Sequence, residues 1–506
     1  MPAGVVFEQR PGAARAPLPD GYLRRTPERT VLYELVSAHR EPMLRHMREV
    51  DPKGYGLPRH VDRELEAFLR CGVLAHGFTQ IRCDTCHDEL LVAFSCKRRG
   101  LCPSCTSRRM ADTAAHLVDR IFPRARYRQW VFTVPKSLRL RLAREPAWAS
   151  WVNQLIVRAI AVWQRRAARA LGVRDGQTGA ITFVQRFGGI LNLNVHYHLV
   201  VPDGVFVVDD AGQLSLQELR GPTDDELLAI LDRVADRIGE RLADEACHRD
   251  DAANDGDADT PPDLWSQLQA EAATTWRSPP RPSSISRGTE PGPAWSEGFS
   301  LHAAVAIAAT DRAALERLCR YGARPAFAQD RLAWTDDYRV SYRLKRPWHD
   351  GRAALVLEPE PMLRRLCGII PPPRRHMVRY HGLFAPAAAQ RKQLGRLVPA
   401  ADNADRGCPD PSNRAPTPPV SSVWRARRVP WAELLRRVVG DDLLNCGCGG
   451  RRTVVAVVTD AGTARSLLDG LGLGHRPPVF APRGPPELFD SDPTPAFEPE
   501  QPAPDE

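Results

Sequence analysis

The chain has 506 residues, 43% of them hydrophobic, and a formal net charge of +9 with a sequence pI near 9.1. This length exceeds what one core organises and predicts two or three domains. No apolar run of eighteen residues exists to span a membrane, and the first residues lack a charged head followed by an apolar segment, so a cytoplasmic location is expected.

The positive charge is almost all arginine, the lysines being Lys53, Lys97, Lys136, Lys345 and Lys392. Arginine suits bidentate phosphate contacts, which makes nucleic acid a plausible partner without establishing it. Twelve cysteines in a chain of this kind point to metal binding or burial rather than to a disulfide framework.

In chain order, residues 30–50 and 59–70 read as two helices, the first with Leu32, Leu35, Val36 and Leu44 among its apolar positions. Residues 71–109 are cysteine-rich with short strands, and 111–122 form a helix carrying Leu117, Val118 and Ile121. A strand at 128–135 opens a new domain. It is followed by a long helix at 148–171, strands at 180–187, 194–201 and 205–208, and a helix at 224–246.

Residues 248–297, rich in Asp, Ser, Pro and Gly, are expected to form a disordered insertion. Order resumes with a strand at 298–307 and a helix that Thr310 caps and that runs to Tyr321 before Gly322. Strands at 331–344 and 353–357 and a helix at 360–367 follow. A Pro/Ser/Asn-rich linker at 396–422, a small α/β module at 423–475 and a Pro- and acid-rich tail at 476–506, expected to be disordered, complete the chain.

Cys83-Asp-Thr-Cys86 and Cys102-Pro-Ser-Cys105, separated by fifteen residues, have the spacing of a structural zinc site. Four thiolates on two knuckles converge tetrahedrally, and such a site contributes roughly 10–16 kcal/mol of folding free energy by analogy with zinc-finger peptides. Cys71, His87 and Cys96 lie nearby as packed or surface residues, with Cys71 and Cys96 further candidates for zinc. Cys446-Gly-Cys448 is spaced too tightly for an ordinary knuckle and reads as a turn. Lys97, Arg98, Arg99, Arg108 and Arg109, with no acid from 97 to 111, form a basic stretch that is either a DNA grip or a solvated loop.

The most telling stretch is His196-Tyr197-His198 within the apolar run from Val195 to Val201. Alternation along a strand points both imidazoles to one face, about 7 Å apart along the backbone. Such a pair binds a divalent metal if a neighbouring strand supplies a third ligand; the alternative is a strand with a polar face.

Taken in order, several segments resemble the rolling-circle transposases of the IS ninety-one family. They are Phe-Leu-Arg-Cys71-Gly, Cys83-Asp-Thr-Cys86, Ser-Cys96-Lys-Arg-Arg-Gly-Leu-Cys102-Pro-Ser-Cys105, Arg128-Gln-Trp-Val, Val-Gln185-Arg-Phe-Gly, Asn-Val-His196-Tyr-His198, Gly298-Phe-Ser-Leu-His302-Ala, Leu318-Cys-Arg-Tyr321 and Val378-Arg-Tyr-His-Gly-Leu-Phe. The resemblance implies an α+β chain. A small helical and zinc-ribbon domain at 25–125 would precede an HUH (His-hydrophobic-His) nuclease domain at 126–395, built on a central antiparallel sheet flanked by helices.

It also implies an activity. A transposase of this kind nicks and rejoins single DNA strands through a 5′-phosphotyrosine, using Mg²⁺ or Mn²⁺ on His196 and His198 beside the structural Zn²⁺. Its partners would be DNA, including single-stranded element ends, and host replication proteins, in the bacterial cytoplasm at the nucleoid. A rolling-circle replication initiator of the same chemistry, or a non-catalytic zinc-dependent DNA-binding regulator, are the other readings.

Tyr321 matches the place of the family's nucleophile, and Arg317 stands where a second tyrosine would fall. Tyr338 and Tyr342 are the alternatives, although Tyr338, Val340, Tyr342 and Leu344 alternate as in a strand. Gln185 and His302 are the candidates to complete the catalytic metal site, the alternatives being a buried Gln that satisfies backbone groups and a structural hydrogen bond by His302. Arg320 and Arg379 join the basic stretch as candidate DNA contacts, with Tyr380 and His381 beside Arg379.

Overall fold

The computed structural model describes residues 25–252, 264–273, 294–347, 351–398, 443–473, 478 and 480–481. It is an α+β structure whose strand pairings, among the described residues, are all antiparallel. Helix α1 (Val31–Val50) starts where Thr30 Oγ1 accepts a hydrogen bond from Tyr33 N at 3.2 Å, and α2 (Arg59–Arg70) folds back on it. Strands β1 (Phe78–Cys83) and β2 (Glu89–Ala93) form a hairpin, and α3 runs Pro103–Arg120.

The larger part begins with β3 (Tyr127–Thr133), α4 (Lys136–Arg144) and α5 (Pro146–Ala170). The long central strands are β4 (Gly179–Phe187) and β5 (Leu193–Pro202), followed by the ribbon β6 (Gly204–Val208) and β7 (Leu214–Glu218). Then come α6 (Asp224–Ala252), α7 (Leu264–Ala273), β8 (Ala294–Ser296), β9 (Phe299–His302), β10 (Ala306–Ile307) and α8 (Arg312–Gly322). A small sheet of β11 (Leu332–Trp334), β12 (Val340–Arg343) and β13 (Ala354–Leu357) leads to α9 (Pro359–Gly368), β14 (Val378–Gly382) and α10 (Arg391–Leu397). Near the C-terminus, β15 (Arg452–Val458) and a helix, Ala461–Gly470, follow.

The main sheet has the order β14-β4-β5-β3-β9-β8, with β10 also on β3. Alternation divides its side chains cleanly. Val184, Tyr197, Leu199, Trp130, Phe132 and Leu301 enter the core formed with α5 and α6. Ile181, Phe183, Val200 and Tyr127 face the other way and pack with α3 and α8. Those two helices share a core through Ala114, Leu117 and Val118 of α3 and Leu315, Leu318 and Cys319 of α8. Arg312, at the start of α8, locks the pair by donating to the carbonyls of Val118, Phe122 and Pro123.

Several expectations are corrected here. The helix expected at 111–122 begins at Pro103, since proline is well placed in a first turn. Within 248–297, α6 continues to Ala252, and residues 264–273 form α7, because Leu264, Leu268 and Ala272 recur at helical spacing and bury against the cores. The remaining parts of that insertion lie outside the described residues.

The strand expected at 298–307 breaks at 303–305, and Asp311 rather than Thr310 caps α8, accepting from Ala314 N at 2.8 Å. The span 331–344 is a hairpin, not one strand: Tyr338 takes a left-handed φ of 60° in its turn. Of the expected C-terminal module, residues 443–473 do not stand apart, since β15 pairs with β1 along its whole length. The linker expected at 396–422 overlaps the end of α10, which runs to Leu397; residues 399–442 and nearly all of the tail lie outside the described residues. No helix among the described residues is long and apolar enough to cross a membrane.

Candidate active site and cysteine clusters

The register of the main sheet brings four polar side chains into one row. Gln185 pairs with His196, His196 with Thr133, and Thr133 with Ser300, so all four share the α8 face. The next row holds Phe183, His198, Val131 and His302. His196 and His198 are both buried, with ring centroids 4.9 Å apart.

Burial, reinforced by the positive charge of Arg324 and Arg139, lowers His196 to a pKa of about 4. Burial, the neighbouring His196 and Arg324 lower His198 to about 3. Both rings are therefore neutral near pH 7, the form that ligates metal. His196 Nδ1 donates to the carbonyl of Asn194 at 2.9 Å, which leaves its Nε2 with a free lone pair. His198 Nδ1 meets Gln129 Nε2 at 3.1 Å, while His198 Nε2 is buried without a partner among the described residues.

Tyr321 lies in the last turn of α8, and its ring stands edge-on to His198, with centroids 5.4 Å apart and the planes at 85°. The ring is 45% exposed, so the phenol is packed on the histidine and still open to solvent. Gln185 Nε2 donates to the carbonyls of Tyr321 and Gly322, both at 2.9 Å, and Arg324 Nη2 approaches its Oε1 at 3.4 Å. The Gln185 amide is thereby engaged with the end of α8. The Arg324 guanidinium sits 4.9 Å over the Tyr321 ring and 5.1 Å over that of Phe187.

The other candidates are spread out. His302 is separated from His198 by Val131, two strand spacings or roughly 10 Å. Among the described residues, no third His, Cys, Asp or Glu joins His196 and His198 in a metal-sized group. Tyr338 is exposed in a hairpin turn, and Tyr342 is buried in the core of α1, α2 and α9.

The candidate DNA contacts divide in the same way. Lys97, Arg98, Arg108 and Arg109 are exposed, although Arg109 also donates to the Lys97 carbonyl. Arg99 donates to the carbonyl of Arg375 at 2.6 Å, and Arg320 pairs with Glu316 one turn earlier. Arg379 pairs with Thr182 on the sheet face opposite the histidines, and His381 on that same face contacts Asn153 and Thr182. Tyr380 faces the α8 side and packs with its core.

Sequence reasoning missed Arg324, Gln129, Thr133 and Ser300. Their place depends on strand register and on where α8 ends, and no local pattern encodes either.

The expected grouping of Cys83, Cys86, Cys102 and Cys105 does not form. Cys102 and Cys105, at the start of α3, meet Cys71 and Cys96, with sulfur–sulfur distances of 3.5 Å (Cys71–Cys102), 3.6 Å (Cys71–Cys105) and 3.4 Å (Cys96–Cys105). Cys83 and Cys86 instead meet Cys446 and Cys448. The hairpin explains the regrouping: Cys71 and Cys96 flank its open end, whereas Cys83 and Cys86 form its turn, about 17 Å away along β1.

Two family models match the chain. One, described as "Transposase zinc-binding domain", covers residues 42–134, and one described as "Putative transposase" covers residues 179–393. Comparisons with curated proteins and with solved structures gave no match. The matched spans take in Cys71, Cys96, Cys102 and Cys105 and then His196, His198 and Tyr321, whereas Cys446 and Cys448 lie outside both.

Proposed function

Because the chain belongs to the IS ninety-one family of transposases, we propose that it nicks and rejoins single DNA strands through a 5′-phosphotyrosine at Tyr321, mobilising an insertion sequence by a rolling-circle mechanism. The observation that carries this reading is the packing of the Tyr321 ring on His198, with the end of its helix tied to Gln185, the cross-strand neighbour of His196.

The residues fit a divalent ion. His196 Nε2 is available, and His198 Nε2, a buried orphan among the described residues, becomes so once the Gln129 carboxamide is turned to put its oxygen, in place of the Nε2 now 3.1 Å away, against Nδ1–H. Mg²⁺ or Mn²⁺ bound there would neutralise a non-bridging oxygen of the scissile phosphate. Arg324 adds a cation beside the phenol, and its Nε has no partner among the described residues.

The Tyr321 hydroxyl attacks phosphorus in line. The new O–P bond joins the phenol to the 5′ phosphate, the bond to the 3′ oxygen breaks, and the phenolic proton is passed on to solvent while the 3′ oxygen leaves as a hydroxyl. The intermediate keeps the energy of the phosphodiester, so a second 3′-hydroxyl reverses the step without ATP. With Arg317 in the preceding turn, this is a one-tyrosine site.

Cys71, Cys96, Cys102 and Cys105 form the structural zinc site of the zinc-binding domain in this reading, with the exposed Lys97, Arg98, Arg108 and Arg109 tracking DNA phosphates.

The test uses single-stranded ends of the element that encodes the chain, labelled at their 3′ ends, with Mg²⁺ or Mn²⁺. The label should become covalently attached to protein, mass spectrometry should find it on Tyr321, and Tyr321→Phe should abolish it. An adduct on Tyr338 or Tyr342 would move the nucleophile, and absence of any adduct alongside intact DNA binding would favour the non-catalytic regulator.

A further inference from the structure

We propose that Cys83, Cys86, Cys446 and Cys448 hold a second structural zinc, which staples the turn before β15 to the N-terminal zinc-binding domain. The four sulfurs lie within 4.8 Å of one another, with Cys83 and Cys448 3.6 Å apart and Cys86 and Cys446 3.5 Å apart. Thiolates at about 2.3 Å from a tetrahedral zinc are separated by roughly 3.8 Å, so little adjustment is needed. Two partners of each pair are 365 and 360 residues apart in sequence, which is why spacing alone does not reveal the site.

The backbone around the sulfurs is built for close approach. Cys446 N donates to the Gly450 carbonyl and Gly449 N to that of Cys446, closing a tight turn in which Gly449 has a φ of 87°. A Cβ on Gly450 would come within 2.6 Å of Cys83 Sγ and 2.5 Å of Thr85 Oγ1, so only glycine lets the two turns interlock. They are also bonded to each other: Asp84 N donates to the Arg451 carbonyl at 3.0 Å, and Arg451 N to Asp84 Oδ1 at 2.8 Å.

Donors face the sulfurs as they do around zinc thiolates. Gly450 N points at Cys448 Sγ and Arg452 Nη2 at Cys446 Sγ, each at 3.4 Å. Arg452 is buried and also bonds Asp88 and the Asn445 carbonyl, which places a fixed positive charge beside a site that is net negative when four thiolates hold Zn²⁺.

Packing gives the staple a purpose. The apolar clusters joining residues 443–473 to β1, β2 and the turn before β1 are small: Leu74, Phe78, Val458, Ala464 and Leu468 form one, and Ile81, Leu90 and Leu443 the other. Cores of that size do not hold a module without a cross-link or a metal.

The test is metal content of the full-length chain by elemental mass spectrometry after gel filtration. Wild type should carry two zinc ions, and Cys446→Ser/Cys448→Ser should carry one, with limited proteolysis of that variant now releasing the segment 443–473 while α3 and the strands of the main sheet stay resistant. Denaturing alkylation without reductant should modify all twelve cysteines of wild type.

Two ions in the double variant, or one in both proteins, would overturn the proposal, and a disulfide among these four residues would replace the metal as the staple. If the double variant is insoluble, Cys448→Asp, which keeps a zinc-binding oxygen, tests the same point: it should retain two ions bound more weakly, and loss of no affinity counts against the site. The measurement reads metal and not strand cleavage, so it stands or falls separately from the role of Tyr321.

Discussion

Tyr321 and His198 touch edge to face across the gap between α8 and β5, 136 residues of sheet and helix folding Gln185 beneath the same helix end. One aromatic contact thus fixes a candidate nucleophile against a candidate metal ligand. His198→Ala should lower single-turnover cleavage by on the order of 10²–10⁴, the several kcal/mol that a Lewis acid contributes. Affinity for single-stranded DNA should stay within a few-fold. Cleavage at the wild-type rate with saturating Mn²⁺ would remove His198 from the site.

Gln185 ties down the end of α8 through two hydrogen bonds, and a positioning role predicts effects that a metal-ligand role does not. Replacing it by leucine removes both bonds to the Tyr321 and Gly322 carbonyls and leaves buried acceptors, at a cost of about 1–3 kcal/mol. The expected outcome is a slower cleavage step at saturating DNA with unchanged metal dependence. A large rise in the Mn²⁺ concentration needed for half-maximal rate would instead make Gln185 a ligand.

Gly322 lets α8 sit down on the sheet. A Cβ there would meet the Phe183 ring at 2.6–3.0 Å. Gly322→Ala should therefore destabilise the fold by about 1–3 kcal/mol and slow cleavage, as overpacking lifts the helix end. Adding Phe183→Leu should restore part of both in urea unfolding and cleavage assays. An alanine variant as stable and active as wild type would mean that the helix end is not seated this tightly.

His381 gives a pH dependence on the sheet face opposite His196 and His198. Burial, with Arg379 adding to it, lowers its pKa to about 4 from an ordinary 6.5. Between those values the unfolded chain binds the proton and the folded chain does not, so stability is full above pH 6.5 and falls as pH drops towards 4. Other buried histidines act in the same direction, so the comparison is with His381→Gln. The variant should show a shallower loss of urea midpoint over that window, and parallel curves would refute the assignment.

Much of the architecture was readable from the chain. The central strands, α5, α6 and α8 declared themselves through apolar period, and His196 and His198 through alternation within β5. What escaped depends on contacts distant in sequence. Local spacing paired Cys83 and Cys86 with Cys102 and Cys105, but a hairpin separates those pairs, and the turn just before β15 supplies the missing partners Cys446 and Cys448. The polar surroundings hid α7, because its helical period lasts only three turns. Arg324 carries no signature, since its place over Tyr321 follows from how the chain leaves α8.

The joint between α3 and α8 has a consequence for how such proteins diversify. One end of α3 carries Cys102 and Cys105, and Arg312 bolts the other to the helix that ends in Tyr321. The two matched regions are therefore not interchangeable cassettes. A chimaera that imports a foreign metal-binding half must bring a compatible 312–322 segment with it, or the phenol will be displaced from the imidazole it rests against. Recombination between related elements should accordingly leave functional offspring only when the crossover keeps these two helices from one parent.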